Sequence, residues 1–181
     1  LCDNLLFNNG AYAEYIKIPG PIVRQNMLEI PEGISFTDAA LVEPLACVLR
    51  GFDAVHVRPD DSVLVIGMGP IGLMFVRMAR LRGAHVIAVG KRDSQLAAAK
   101  RMGADEVVNA GKGGDLADEI RSKTPDHMGV DIAIEAVGTP ATWELAFQTM
   151  RRGGTGCASW RVAAHGAGPT GRAWATGGQH E

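Results

Sequence analysis

Between residues 60 and 150, short apolar runs alternate with longer amphipathic segments. The apolar runs cover residues 63–66, 85–89, 106–108 and 130–134, and the helical patterns cover residues 70–82, 94–101, 115–123 and 141–150. Short runs that are apolar on both faces are typical of parallel strands covered by helices on each side. The order β-α-β-α-β-α-β therefore predicts an α/β fold with a doubly wound parallel sheet, whose ligands bind at the carboxyl ends of the strands.

Three glycines follow the first apolar run in the spacing G-x-G-x-x-G. In such a strand-turn-helix unit, the first glycine permits the sharp turn, the second lets backbone approach a pyrophosphate, and the third lets the helix pack against the strand. The flanking elements lie where a dinucleotide site requires them, with the diphosphate on the helix N-terminus. The alternative is an ordinary βαβ turn that binds nothing. The residues expected to bind the cofactor are Gly67, Gly69, Pro70, Ile71, Gly72, Gly90, Lys91, Arg92 and Val137.

The end of the second predicted strand carries Gly90, Lys91 and Arg92. An NAD enzyme places an Asp or Glu here to bind the ribose 2′-hydroxyl, and that carboxylate would repel a 2′-phosphate. Two cations can instead pair with the phosphate. The sequence thus predicts NADP(H) in preference to NAD(H), although a solvated pair of cations on a loop is the plainer interpretation.

The segment before residue 58 has a different pattern. Residues 11–18 alternate as a strand does and are followed by Pro19-Gly20-Pro21, and residues 27–30 resemble a second short strand. Residues 39–55 are apolar around nearly the whole helical circumference, which predicts a buried helix. Pro44 lies inside this helix, so a kink or a break between two helices is expected.

Composition and charge restrict the class of protein. Hydrophobic residues make up 46% and charged residues 21% of the 181 residues, and the net charge of −2 argues against a nucleic-acid partner. The longest apolar run contains three glycines and a proline and is too short to span a membrane. Cys2, Cys47 and Cys157 cannot form a disulfide framework, which favours a reducing compartment and hence a cytoplasmic protein. No signal-peptide pattern is seen, and the first residue is not Met, so a fragment is expected.

Six segments carry a family resemblance: EYIKIP, LVEPLACVLRGF, VLVIGMGPIGLMFVRMAR, AKRMGADEVVN, GVDIAIEAVG and MRRGGT, in that order. Together they resemble the zinc-dependent medium-chain dehydrogenase/reductase family, and the E-P-L-A sequence resembles its sorbitol, polyol and threonine dehydrogenase branch. The resemblance implies a GroES-like β catalytic domain followed by a Rossmann domain. Residues 1–34 would be the remnant of the catalytic domain, 35–57 a linking helix region, and 58–155 an incomplete Rossmann domain.

The resemblance also implies a zinc site. In this branch the Glu of E-P-L-A, here Glu43, lies at or beside a catalytic zinc, whereas without the resemblance Glu43 would cap a turn or pair with Arg50. Cys2 resembles the last cysteine of a structural zinc lobe or is simply a free thiol, and Cys47 is expected to serve packing. The five histidines lie outside any Gly-His-Glu context, so this chain is expected to be inactive by itself.

The activity implied for the full-length protein is hydride transfer between an alcohol or polyol and nicotinamide, with zinc stabilising the alkoxide. A homo-oligomer is also expected. Two alternatives remain: a zinc-free quinone or enoyl reductase of the same superfamily, which has no reason to keep Glu43, and a non-catalytic nucleotide-sensing Rossmann module, which has no need of the upstream β segments.

Residues 156–181 show neither a strand nor a helix period, and the resemblance stops before them. A disordered or divergent terminus is one interpretation. A reading-frame error near Gly156 is another, because a shifted frame permits an apolar strand followed by Gly-Gly. Under that hypothesis the segment carries no family function, packs poorly and leaves the sheet without its last strands.

Overall fold

The structure is a computed structural model, and it describes residues 12–158 and 174–176. The chain divides after Ala40 into two compact units. The sheet lies in the second unit, and the described part of the first contains two short helices. None of the helices in the described ranges is long and apolar enough to cross a lipid bilayer.

The predicted apolar runs form strands of one sheet. The strands are β1 (Ser62–Ile66), β2 (His85–Gly90), β3 (Glu106–Asn109), β4 (Val130–Glu135), β5 (Met150–Ala158) and β6 (Trp174–Thr176), in the spatial order β3-β2-β1-β4-β5-β6. The first five strands are parallel, and β6 pairs with β5 in antiparallel orientation. This order confirms the doubly wound α/β fold. The strands β2 and β3 lie on one side of β1, and β4 and β5 lie on the other, so the strand order reverses between β1 and β4.

Helices cover both faces of the sheet. They are α3 (Val42–Val55), α4 (Pro70–Leu81), α5 (Asp93–Met102), α6 (Leu116–Arg121) and α7 (Pro140–Thr149). Because side chains alternate between faces along a strand, Val63 and Val65 join a core cluster with residues of α3, α4 and α5, and Leu64 and Ile66 join a second cluster with residues of α6 and α7. All four of these β1 side chains are at most 2% exposed, so the central strand is covered from both sides.

The first unit differs from the prediction. Residues 12–40 contain α1 (Gly20–Asn26) and α2 (Phe36–Ala39), and the strands expected at residues 11–18 and 27–30 are not formed where the structure describes them. Pro19 caps α1 and Pro21 lies in its first turn, a position where proline is tolerated. No residue from 12 to 40 is buried. A strand needs a paired neighbour and a covering layer, and the described part of this unit offers neither.

The helix predicted at residues 39–55 is broken before Pro44, as expected. α2 ends at Ala39 and α3 begins at Val42, which places the proline in the first turn. Only one face of α3 is buried, however, through Val48, Phe52 and Val55. Its remaining apolar side chains are exposed, so the prediction of a helix buried on all sides is wrong: Val42, Leu45 and Leu49 are 61%, 37% and 36% exposed.

The chain after Thr155 also differs from the prediction. β5 continues through Gly156 and Cys157 to Ala158, pairing with the last residues of β4, and Cys157 is buried. The three residues of β6 pair with β5. Regular structure therefore extends to Ala158, and the reading-frame hypothesis for the tail stays a prediction. The other residues of the predicted tail, 159–173 and 177–181, lie outside the described residues.

Candidate functional site

The glycine motif forms the turn between β1 and α4. Gly67 has φ +102°, a left-handed conformation that glycine adopts without a Cβ penalty. A Cβ on Gly72 would lie 1.8 Å from the carbonyl oxygen of Gly67, so the helix can pack this closely only with glycine there. A Cβ on Gly69 would meet nothing within 4 Å. The turn is thus tight on its inner side and open at Gly69, as a bound diphosphate requires.

The open side of the turn coincides with the start of α4. Gly69 is the N-cap and Pro70 the first helical residue, and no side chain caps this end. The first N–H groups of a helix lack intrahelical acceptors and carry the positive end of the helix dipole. Pro70 contributes no N–H, so the amides of Ile71 and Gly72 are the next donors available to an anion.

The end of β4 is organised by a buried carboxylate that the sequence analysis missed. Glu135 is 1% exposed, and its Oε1 accepts hydrogen bonds from the Val137 N–H (2.7 Å), the Gly138 N–H (2.9 Å) and the Thr142 hydroxyl (2.9 Å). Its Oε2 lies 3.1 Å from the Gly138 nitrogen. A Cβ on Gly67 would approach Val137 Cγ2 to 2.5 Å, so Glu135 holds the predicted residue Val137 directly against the glycine turn. The sequence signal for this role is an acidic residue at the end of an apolar strand, in I-A-I-E-A-V-G.

Gly90 ends β2 beside the same turn, and Lys91 and Arg92 follow it. Both cations are exposed, and within the described residues neither has an acidic partner within ion-pair distance. The carboxylate nearest in sequence, Asp93, accepts a 2.7 Å hydrogen bond from the side-chain amide of Asn109. The two cations are therefore available to an anionic ligand.

The loops after the strands are joined to one another along the carboxyl edge of the sheet, here called the carboxyl rim. Backbone hydrogen bonds continue the sheet one residue beyond β1, β3 and β4. The predicted cofactor residues after β1, β2 and β4 consequently share one rigid edge. The three bonds run from Gly67 N–H to Val89 O, from Ala136 N–H to Ile66 O and from Ala110 N–H to Gly90 O, each 2.9 Å long.

Of the two residues expected to hold zinc, Glu43 lies within the described residues. Glu43 lies in the first turn of α3, where its Oε1 accepts a hydrogen bond from the Cys47 thiol at 3.1 Å, and both residues are exposed. The prediction that Cys47 serves packing is therefore wrong. The hydrogen bond to Glu43, with smaller contributions from desolvation and the negative charge of Glu43, raises the pKa of Cys47. Cys2 lies outside the described residues.

No group of three His, Cys, Asp or Glu side chains that could hold a metal occurs within the described ranges. Structural and catalytic zinc sites use three or four protein donors. Glu43 and Cys47 alone do not meet that requirement, so these residues do not by themselves fit a zinc ion.

A second polar cluster lies at the opposite, amino edge of the sheet. Asp131 accepts hydrogen bonds from the Ser62 N–H (2.8 Å), the Ser62 hydroxyl (2.6 Å) and Arg151 Nε (2.5 Å). Burial tends to raise the pKa of Asp131, but the bonds from Ser62 and Arg151 outweigh it, and the pKa lies below its ordinary value. This cluster joins β1, β4 and β5 far from the carboxyl rim, which marks it as structural.

Comparisons with known proteins agree with this geometry. The sequence model of the family described as zinc-binding dehydrogenase matches residues 70–158. Sorbitol dehydrogenase of Bacillus subtilis is 37% identical over 148 residues, covering 81% of this chain and 40% of the relative. L-idonate 5-dehydrogenase of Vitis vinifera is 31% identical over 165 residues, covering 87% of this chain and 44% of the relative. The chain thus spans less than half the length of these curated relatives.

Solved structures give the same result. Zinc-dependent alcohol dehydrogenase 2 from Streptococcus pneumonia superposes with a TM-score of 0.72 at 34% identity, covering 81% of this chain and 42% of that one. A zinc-binding dehydrogenase from Sinorhizobium meliloti, bound to NADP, gives a TM-score of 0.71 at 30% identity, covering 79% and 42%. Together with the strand order and the glycine turn, these likenesses support a fragment of the zinc-dependent, alcohol dehydrogenase-like medium-chain dehydrogenase/reductase family.

Proposed function

We propose that the protein containing this chain transfers a hydride between the CH–OH group of an alcohol or polyol and NADP(H), and that the carboxyl rim described above is its cofactor site. The observation that carries the proposal is the open glycine turn at Gly69 beside the unpaired cations Lys91 and Arg92. The names of the relatives, which include sorbitol, alcohol and L-idonate dehydrogenases, support the substrate class.

The turn would receive the diphosphate of the cofactor. Gly69 leaves space for the phosphates, and the amides of Ile71 and Gly72 point along the axis of α4 toward them. Val137, held by Glu135, would line the neighbouring part of the rim. When bound, the nicotinamide ring exchanges a hydride with the substrate carbon, and the residues of this chain hold the dinucleotide and limit its movement.

The loop after β2 would select the phosphorylated ribose. Position 90, where an acid would bind a free ribose 2′-hydroxyl, carries no carboxylate, and the nearby Asp93 is oriented by its hydrogen bond from Asn109. Hydrogen bonds between cations and phosphate oxygens are about twice as strong as neutral ones. Because both cations are exposed, salt will screen part of this attraction.

Isothermal titration of the chain with NADP⁺ and NAD⁺ tests the proposed cofactor. We expect NADP⁺ to bind at least about tenfold more tightly, which corresponds to about 1.4 kcal/mol. Arg92→Gln should reduce this ratio, and Arg101→Gln, the same charge change at the other end of α5, should leave it unchanged. Equal or tighter binding of NAD⁺ by the unaltered chain would refute the preference.

The zinc in this proposal rests on Glu43 and the family resemblance. The described residues do not complete a metal site by themselves. We propose that Glu43 lies in or beside the zinc shell of the full-length protein. Metal analysis of the full-length protein should find stoichiometric zinc, reduced in Glu43→Ala. A zinc-free full-length enzyme with undiminished alcohol turnover would contradict the role.

The chain by itself is expected to bind nucleotide without catalysing alcohol oxidation. Dehydrogenase turnover by the purified chain, above that of a Glu43→Ala control, would show that the metal site has been misplaced. We also propose a cytoplasmic homo-oligomer for the full-length protein. The three cysteines, which cannot form a disulfide framework, support the compartment, and the family resemblance supports the oligomer, which light scattering tests.

A further inference from the structure

Position 90 is crowded by its neighbours, so a side chain there requires them to shift. Gly90 is buried at the end of β2, and a Cβ built on it would lie 3.1 Å from Met68 Cγ, 3.3 Å from Met68 Cβ and 3.2 Å from Leu96 Cδ2. These distances are shorter than ordinary carbon–carbon contacts. Leu96 could yield, because the atom concerned is the end of its side chain. Met68 could not yield as easily, because the nearer of its two atoms is Cγ, which is one bond from Cβ and can move little while the backbone stays in place; Met68→Ala removes this Cγ.

The backbone at Met68 is fixed on both sides. Met68 is the residue between the first two glycines of the motif, is 3% exposed and belongs to the core cluster on the α4 face. Gly67 before it donates a 2.9 Å hydrogen bond to Val89 O, and the Gly67 carbonyl is in tight contact with Gly72. Moving Met68 away from position 90 would therefore disturb the turn that receives the diphosphate.

We propose that Met68 is a specificity-determining residue, which excludes a ribose-binding carboxylate from position 90 by occupying the space that its side chain would need. This inference rests on the proposed nucleotide site. Selection against NAD(H) then has two parts: Lys91 and Arg92 attract the 2′-phosphate, and the pair Gly90 and Met68 prevents the alternative recognition of a free 2′-hydroxyl. Removing the cations alone should weaken NADP⁺ binding without improving NAD⁺ binding.

The test is a double-mutant cycle of Met68→Ala and Gly90→Asp in the 181-residue chain, with dissociation constants for NADP⁺ and NAD⁺ measured by isothermal titration. Gly90→Asp alone should lose NADP⁺ affinity without gaining NAD⁺ affinity. The double variant should bind NAD⁺ at least about tenfold more tightly than Gly90→Asp does, because the carboxylate then has room to reach the ribose. Combining Gly90→Asp with Met78→Ala, a methionine of α4 whose atoms are not among the three nearest to the added Cβ, should give no such gain.

A second measurement covers the case in which Gly90→Asp does not fold. Gly90→Ala adds only the Cβ, and it should lower the melting temperature more in the unaltered chain than in the Met68→Ala background. Equal losses in the two backgrounds would overturn the inference.

The binding outcomes separate this inference from the proposed function. If the unaltered chain prefers NADP⁺ and Gly90→Asp alone binds NAD⁺ as tightly as the double variant, only the role of Met68 is overturned. If the unaltered chain binds neither dinucleotide, or prefers NAD⁺, the proposed cofactor and the role of Met68 both fail.

Discussion

Replacing Glu135 tests how the carboxyl rim is held together. In Glu135→Leu, a side chain of similar size removes the acceptor of three donors: the Val137 N–H, the Gly138 N–H and the Thr142 hydroxyl. A hydrogen bond to a charged group contributes roughly 1.5–3 kcal/mol, which sets an upper limit of several kcal/mol for the three. Val137 is 47% exposed, so water can replace part of the loss. We expect the free energy of unfolding to fall by about 2–4 kcal/mol.

Thermal unfolding and nucleotide titration measure this effect. A loss of that size should lower the melting temperature of a chain of this length by about 6–12 °C. Nucleotide affinity should fall as well, because Val137 would no longer be held against Gly67. Glu135→Gln keeps an acceptor oxygen at Oε1 and should lose much less stability than Glu135→Leu.

Glu144 serves as the matched control. It is exposed, and among the described residues its side chain accepts a hydrogen bond from Gln148 on the same helix. Glu144→Leu should change stability by less than about 0.5 kcal/mol. If Glu135→Leu is as stable as the unaltered chain, or if the Gln and Leu variants at this position are equally destabilised, then the hydrogen bonds of Glu135 do not hold the rim.

Three further substitutions test other parts of the structure. Gly72→Ala places a Cβ 1.8 Å from the Gly67 oxygen, so we expect a large fall in melting temperature and loss of nucleotide binding; an unchanged melting temperature would contradict the tight turn. A Cβ on Gly69 would meet no atom within 4 Å, and Gly69 has φ −81°, so Gly69→Ala should retain stability. Titration should nevertheless show weaker nucleotide binding, because the added methyl group obstructs the phosphates. The pKa of Asp131 is lowered in the folded chain, so its stabilisation is complete above the ordinary carboxyl pKa and is lost as the pH falls through the lowered value. Denaturant unfolding of Asp131→Asn should therefore show a deficit at neutral pH that shrinks in acid, and a deficit independent of pH would exclude the ion pair with Arg151 as its cause.

The sequence predicts the sheet well because its signals are local. Each apolar run between residues 63 and 134 is bounded by glycine, proline or capping residues, and all four runs become parallel strands. The glycine spacing likewise identifies Gly67, Gly69 and Gly72, whose roles depend on backbone geometry within a few residues. Such features need no knowledge of distant parts of the chain.

The features that the sequence does not predict depend on tertiary contacts. Residues 12–18 alternate like a strand, but strand formation requires a partner, and the described part of that unit has none. The capping role of Glu135 depends on the path of the chain after β4. The contact between Met68 and position 90 joins residues from the loop after β1 and the end of β2, and no periodicity along the chain indicates it.

The hydrogen bonds along the carboxyl rim have a consequence for hydrogen–deuterium exchange. The amides of Gly67, Ala110 and Ala136 belong to loops, yet each donates to the carbonyl of a neighbouring strand. Their exchange should require opening of the strands themselves and should be as slow as that of the sheet interior. A dinucleotide resting on one loop would then slow exchange in all three together, and the whole edge would respond as a single cooperative unit.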